Sequence, residues 1–309
     1  MRYAVLFPGQ GSQFVGMGRD VFDARPDLLG ERADEILGWS LRSMCLEGPE
    51  EELTSTEHAQ PALFGVAHAL WDELVKRLPV PPAAAAGHSL GEYTALTAAG
   101  AIAPDRALSV VAERGAAMQA AADLEPSGMA ALLGADFDFA EELCFRRRED
   151  GGRLTVANMN APGQVVVAGS DDDLDWLEAN SREVGVRKVV RLKVAGAFHS
   201  PFMRPAADRV AAALAGVEIG PLAFPVYANV TAAPIGREEV AETLATQVVA
   251  PVRFSETLSN MAAEGIEAFI HVGPGDVTIG MAKRAAPGTA TLAVSDLAGI
   301  EAATELVAG

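Results

Sequence analysis

Long apolar runs are missing from this chain. Half of its 309 residues are hydrophobic, yet no stretch reaches the roughly 20 consecutive apolar residues that a membrane span needs. The strand-like opening, residues 2–7, breaks at Pro8-Gly9. It is too short for a signal-peptide core and has no small-residue cleavage pattern behind it. The expectation is a soluble, cytoplasmic protein. Cysteine is scarce: Cys45 and Cys144 stand far apart, which argues against a disulfide framework and leaves no metal-ligand spacing. Basic charge is scarce as well. Lys and Arg number 24 against 42 Asp and Glu, a formal charge of −18, whereas nucleic-acid binding needs a basic footprint. Neither internal repeats nor low-complexity tracts appear, beyond some Ala-rich segments.

Strand-like and helix-like stretches alternate along most of the length, which predicts an α/β fold with a mainly parallel sheet. Helices are expected over 62–78, 90–99 and 104–122, with a short small-residue strand at 83–86. Residues 125–194 read differently. Strands at 128–133, 154–158, 164–168 and 186–194 alternate with helices at 137–148 and 171–184, the order βαββαβ of a ferredoxin-like unit. The expected organisation is a small subdomain, 125–194, inserted into a larger one made of 1–124 and 195–309, with further strands at 224–229 and 268–272. Two basic clusters stand out on the acidic chain: Arg146-Arg147-Arg148, and Arg182, Arg187, Lys188, Arg191 and Lys193. Each could receive an acidic partner or simply be a solvated face.

Gly87-His88-Ser89-Leu90-Gly91 matches G-x-S-x-G between a short strand and a helix, the context that pattern requires. A strand-to-helix reversal this sharp leaves little room for side chains two residues either side of the serine. It exposes the hydroxyl and aims helix N-terminal amides at the same point. Ser89 is therefore the candidate nucleophile, the alternative being a serine that only caps the helix. A serine needs a base. Among the five histidines, His68 lies on an apolar-periodic helix, His88 adjoins the serine and points away, and His271 closes an apolar strand. His199 sits in a loop after a strand, where catalytic groups commonly lie, and leads by elimination. The backbone N–H of Leu90 is one oxyanion donor, and the loop Pro8–Gln13 could supply another. That loop fails as a dinucleotide site, because Phe14 occupies the last glycine position of G-x-G-x-x-G and no acidic residue follows at the right distance. Arg114 shares a helical stripe with Ala107, Val111 and Met118. A guanidinium there must find an anion or reach water. A carboxylate fits its fork best, and a salt bridge to Glu92 is the structural alternative.

Taken together, these residues resemble the malonyl-CoA:acyl carrier protein transacylases and the related acyltransferases of polyketide synthesis, free-standing ones included. The resemblance runs through Phe7–Gln13, Gln60-Pro61-Ala62, Gly87–Tyr93, Arg114–Gln119, Asn158–Gln164, Ala197–Pro201, Tyr227–Thr231 and Val272–Gly275. It implies an α/β-hydrolase-like large subdomain with a ferredoxin-like small one, and ping-pong transfer of a malonyl group from CoA to a carrier's phosphopantetheine thiol. Ser89 would carry the acyl group and His199 would be the base. Gln10 and Leu90 would offer N–H groups to the oxyanion. Gln247 would orient the histidine through its backbone carbonyl, and Arg114 would grip the malonyl carboxylate. No tightly bound cofactor or metal is implied; the CoA thioester is a substrate and the acyl carrier protein a partner. Two departures bear on substrate or carrier preference: His271 and Asp276 stand where relatives often carry other residue types. Rival readings are a transacylase for an unusual acyl unit, including carrier-to-carrier transfer, and a hydrolase that clears acyl groups from carriers.

Overall fold

A computed structural model describes residues 1–309. Its strands are β1 (Tyr3–Phe7), β2 (Ala84–Gly87), β3 (Ser127–Leu133), β4 (Thr155–Ala161), β5 (Gln164–Ser170), β6 (Lys188–Arg191), β7 (Val226–Tyr227), β8 (Ala268–Val272) and β9 (Ala290–Val294). The main sheet has the order β7-β2-β1-β8-β9, and every pairing in it is parallel. Helices connect its strands and cover both faces, so β1, β2 and β8 are buried along their whole length. This explains why they read as continuous apolar runs rather than as alternating ones. The Ala84-Ala85-Ala86-Gly87 strand lets the following helix, Gly91–Ala98, come close: a Cβ on Gly87 would stand 1.8 Å from the carbonyl carbon of Gly91.

The second sheet, order β4-β5-β3-β6, is antiparallel throughout, and its strands all lie between Ser127 and Arg191. With the helices Phe137–Glu149 and Asp171–Asn180 it gives the βαββαβ order read from the sequence. Its two faces divide by strand periodicity. Met129 and Ala131 of β3 join the main core, while Ala130 and Leu132 pack with Leu143, Leu174 and Leu177 in a separate one. The β4 strand ties the two units together: the Met159 N–H donates to the Val252 carbonyl at 2.8 Å, and the Val252 N–H to Ala157 at 2.9 Å.

Several element boundaries differ from the expected ones. The helix expected from Ala62 runs Thr56–Val75 and contains Pro61. A proline removes a helical N–H, but residues 59–71 are all buried, and that packing outweighs the local cost. Strand β7 holds only Val226 and Tyr227, because only these two register against Ala85 and Ala86; Asn229 then leaves the sheet. Strand β6 is likewise shorter than expected, and the helix after Asp171 ends at Asn180. No helix is long and apolar enough to cross a membrane.

Candidate active site

Ser89 stands where β2 turns into the helix Gly91–Ala98. Its φ is +50°, a left-handed conformation that L-residues adopt at a cost and that recurs at functional sites. The surrounding structure holds it there. The Ser89 N–H donates to Asn229 Oδ1 at 2.7 Å, and the Ser89 carbonyl accepts from Gln247 Nε2 at 2.9 Å. The flanking glycines are obligatory for steric reasons. A Cβ on Gly91 would lie 2.4 Å from the Phe7 carbonyl oxygen, and one on Gly9 would lie 2.6 Å from that of His88. The turn and the end of β1 are thus in backbone-to-backbone contact. Ser89 does not cap the helix, which has no side-chain cap.

His199, itself at φ +56°, places Nε2 2.7 Å from Ser89 Oγ. Its Nδ1 lies 2.9 Å from the Gln247 backbone carbonyl. A carbonyl only accepts, so Nδ1 carries the proton and Nε2 is left as the acceptor for the serine hydroxyl. Burial pushes the His199 pKa down to about 3, and the Arg114 charge adds to this. The imidazole is neutral, as a base must be. His88 points elsewhere, with Nε2 2.7 Å from Asn160 Oδ1 on β4. His271 closes β8 with Nδ1 against Thr278 Oγ1 and Nε2 against the Gly273 carbonyl. His68 is buried against Phe64, and desolvation lowers its pKa to about 4.

The N–H groups of Leu90 and Gln10 have no hydrogen-bond partner within the chain. Gln10, Ser89, His199, Met118, Phe198 and Lys193 line one cleft of about 300 Å³, walled on its far side by Asn158, Asn160 and Gln164 of the second sheet. Arg114 is 1% exposed. Its Nη1 donates to Gln60 Oε1 at 2.6 Å, and its Nη2 to Ser89 Oγ and Gln247 Oε1, both at 3.0 Å. The Nε has no partner. The salt bridge to Glu92 weighed from the sequence is absent: the Gln247 carboxamide lies between the two, donating to Glu92 Oε2 at 2.7 Å. Burial raises the Glu92 pKa to about 7, against the opposing pull of Gln247, the Asn229 amide and Arg114.

The site therefore gathers Ser89, His199, Gln10, Leu90, Gln247 and Arg114, all anticipated, and adds Asn229, Glu92 and Gln60. Asn229 had one signal, its place in the Tyr227–Thr231 motif at the end of an expected strand. Gln60 had only its place in the Gln60-Pro61-Ala62 motif, and Glu92 its place beside Ser89 and as the weighed ion-pair partner of Arg114. A hydroxyl on a neutral imidazole beside two free amide donors can form and break an ester, and a guanidinium that reaches that hydroxyl can hold an anion next to it. No group of three His, Cys, Asp or Glu side chains is arranged to hold a metal ion.

Known proteins resemble this chain along nearly its whole length. The acyl transferase domain family matches residues 5–300. The malonyl CoA-acyl carrier protein transacylase of Bacillus subtilis (strain 168) is 38% identical over 98% of this chain and 96% of its own length. The polyketide biosynthesis malonyl CoA-acyl carrier protein transacylase PksC of the same organism is 37% identical over 90% of this chain and 95% of its own. Among solved structures, a malonyl-transacylase in complex with its type II polyketide synthase acyl-carrier protein superposes with a TM-score of 0.93, at 34% identity over 99% of this chain and 100% of that one. With a family match over residues 5–300 and relatives of this likeness along nearly its whole length, the chain belongs to the acyl transferase domain family.

Proposed function

We propose that this chain transfers a malonyl group from CoA, through an ester on Ser89, to the phosphopantetheine thiol of an acyl carrier protein, in cytoplasmic fatty-acid or polyketide assembly. The observation that carries the reading is the 2.7 Å contact of Ser89 Oγ with His199 Nε2, with the buried Arg114 guanidinium 3.0 Å from the same oxygen. The relatives' names supply the donor and the acceptor. In the first half-reaction Ser89 Oγ attacks the thioester carbonyl while His199 Nε2 takes its proton. The C–S bond breaks, and the leaving CoA sulfur receives that proton. In the second half-reaction the carrier's thiol gives its proton to His199 and attacks the ester, releasing the serine hydroxyl. The Gln10 and Leu90 amides hold the negative oxygen in both; one such donor is worth about 2.7–4 kcal/mol. Gln247 fixes the histidine tautomer and Arg114 receives the malonyl carboxylate. The steps use the chain's own side chains and amides, with the CoA thioester and the carrier's thiol as substrates.

The inserted unit, 125–194, forms the small subdomain and presents the carrier-docking face. Of the two basic clusters, the first is neutralised internally: Arg146 pairs with Glu142 at 2.6 Å, Arg147 with Asp173 at 2.7 Å and Arg148 with Glu141 at 3.2 Å. In the second, Arg191 is held by Asp171 and Asp175. Arg182, Arg187, Lys188 and Lys193 are exposed and form no ion pair, and Lys193 borders the Ser89 cleft. These four charges suit an acidic carrier arriving at the cleft mouth.

Intact-protein mass spectrometry after incubation with malonyl-CoA tests the reaction. One malonyl adduct is expected on the unaltered protein and none on Ser89→Ala. An adduct on the alanine variant removes Ser89 from the role.

A further inference from the structure

One buried carboxylate stands beneath both halves of the site. Glu92 is fully enclosed, three residues past the nucleophile on the first turn of the helix Gly91–Ala98. Its Oε2 accepts from the Asn229 backbone N–H at 3.0 Å and from Gln247 Nε2 at 2.7 Å. Each of these partners performs a separate task. The Asn229 side chain clamps the strained turn from two sides: Oδ1 receives the Ser89 N–H at 2.7 Å, and Nδ2 donates to the Gly87 carbonyl at 2.7 Å. Gln247 holds the Ser89 carbonyl and the Arg114 guanidinium with its side chain, and the His199 ring with its backbone. Neither Asn229 nor Gln247 touches Glu92 through sequence neighbourhood; they come from segments 137 and 155 residues away.

We propose that Glu92 is a positioning residue: it locks Asn229 and Gln247 together, and through them sets the Ser89 hydroxyl against the His199 ring. A neutral amide in its place can keep the shape. The charge is what strengthens the two bonds it accepts, because hydrogen bonds to an ionised acceptor are about twice as strong as neutral ones. The same negative charge is the nearest buried counterpart of Arg114, reached through the single carboxamide of Gln247. Glu92 Oε1 meets no donor, so both accepted bonds fall on one oxygen, and no second set of partners can replace them.

The proposal rests on the Ser89–His199 reading but not on the identity of the acyl group, so its test uses a probe indifferent to malonyl. A fluorophosphonate that labels activated serines is timed on the full chain, with the folded fraction counted by circular dichroism and the melting temperature recorded. Glu92→Gln is expected to slow labelling by at least about 10-fold with little change in melting temperature. Asn229→Ala keeps the backbone N–H that Glu92 accepts but removes the side-chain clamp on Ser89 and Gly87 at the far end of the same chain of bonds; it is expected to slow labelling too, with the double variant well short of the product of the two losses. Labelling of Glu92→Gln at the unaltered rate, or losses that multiply in full, overturns the proposal. Fast labelling of a protein that malonyl-CoA does not acylate contradicts the malonyl assignment and leaves the role of Glu92 intact.

Discussion

Arg114 reaches Ser89 Oγ with the same Nη2 that holds the Gln247 carboxamide, each at 3.0 Å, while its Nε has no partner. The guanidinium thus touches the Ser89 oxygen directly through Nη2, while its Nε is enclosed. Its fork matches a carboxylate. For Arg114→Ala, kcat/KM with malonyl-CoA is expected to fall by about 100-fold or more, since losing one partner of a buried charge pair costs about 3–5 kcal/mol. With acetyl-CoA the loss should be far smaller. A panel of acyl-CoA donors reads the difference; equal losses for both donors contradict the assignment.

The pH dependence follows from His199. With its pKa lowered to about 3 by burial and by Arg114, the imidazole remains a base well into acid. The limb of kcat/KM for acylation that belongs to His199 should lie clearly below the ordinary histidine value of about 6.5, beneath an earlier, partial fall near pH 7 as Glu92 takes up its proton, and Glu92→Gln should abolish that earlier step. Stability has the opposite sensitivity. The unfolded chain protonates His199 and His68 near pH 6.5, the folded chain only toward about 3 and about 4. Their contribution is complete above pH 6.5 and is lost as pH falls through this window. Glu92 works the other way, its folded pKa raised to about 7, so its contribution is present below about 4.5 and lost as pH rises toward 7. Melting temperatures between pH 7 and 5 should show the histidine loss, and His68→Phe should flatten it.

The glycine at 91 is set by contact rather than by turn type. A methyl there meets the Phe7 carbonyl oxygen at 2.4 Å and that of Pro8 at 2.8 Å, both backbone atoms that cannot swing aside. Gly91→Ala should cost about 1–3 kcal/mol of stability, the usual range for an overpacked site. It should also lower acylation more than stability, because the displaced backbone leads straight to Gln10. Calorimetry and single-turnover acylation together check this.

Charge reversal separates the two basic clusters. Lys188→Glu with Lys193→Glu should raise the KM for an acidic carrier at low salt and leave the KM for the CoA donor nearly unchanged. Added salt should erase the difference between variant and parent, since the Debye length shrinks to about 10 Å at 0.1 M. Arg146→Glu is expected to do little to carrier KM, because Arg146 already faces Glu142. Unchanged carrier KM in the lysine pair would relocate the docking face.

Ser89 was legible because its glycines and its strand-to-helix setting each have a steric cause visible in the sequence. Arg114 was legible as a charge on an apolar stripe. His199 emerged only by eliminating other histidines, and Gln10 and Gln247 only through resemblance, because a backbone donor or acceptor leaves no mark on residue type. The Glu92–Asn229–Gln247 knot was not legible at all. It joins three distant segments, and a glutamate on a helix's first turn reads equally well as a favourable dipole charge. The early start of the helix at Thr56 escaped for a related reason: Pro61 reads locally as the edge of a first turn, and only the packing around it says otherwise.

Because all the main-sheet strands point the same way, β1, β2, β7 and β8 all open onto one rim, where Gln10, Ser89, Asn229 and Thr278 follow in turn. Scaffold and chemistry accordingly have separate addresses. The apolar layers beneath the rim can be left alone while rim segments are exchanged among related chains to retune which acyl unit is accepted, one strand end at a time.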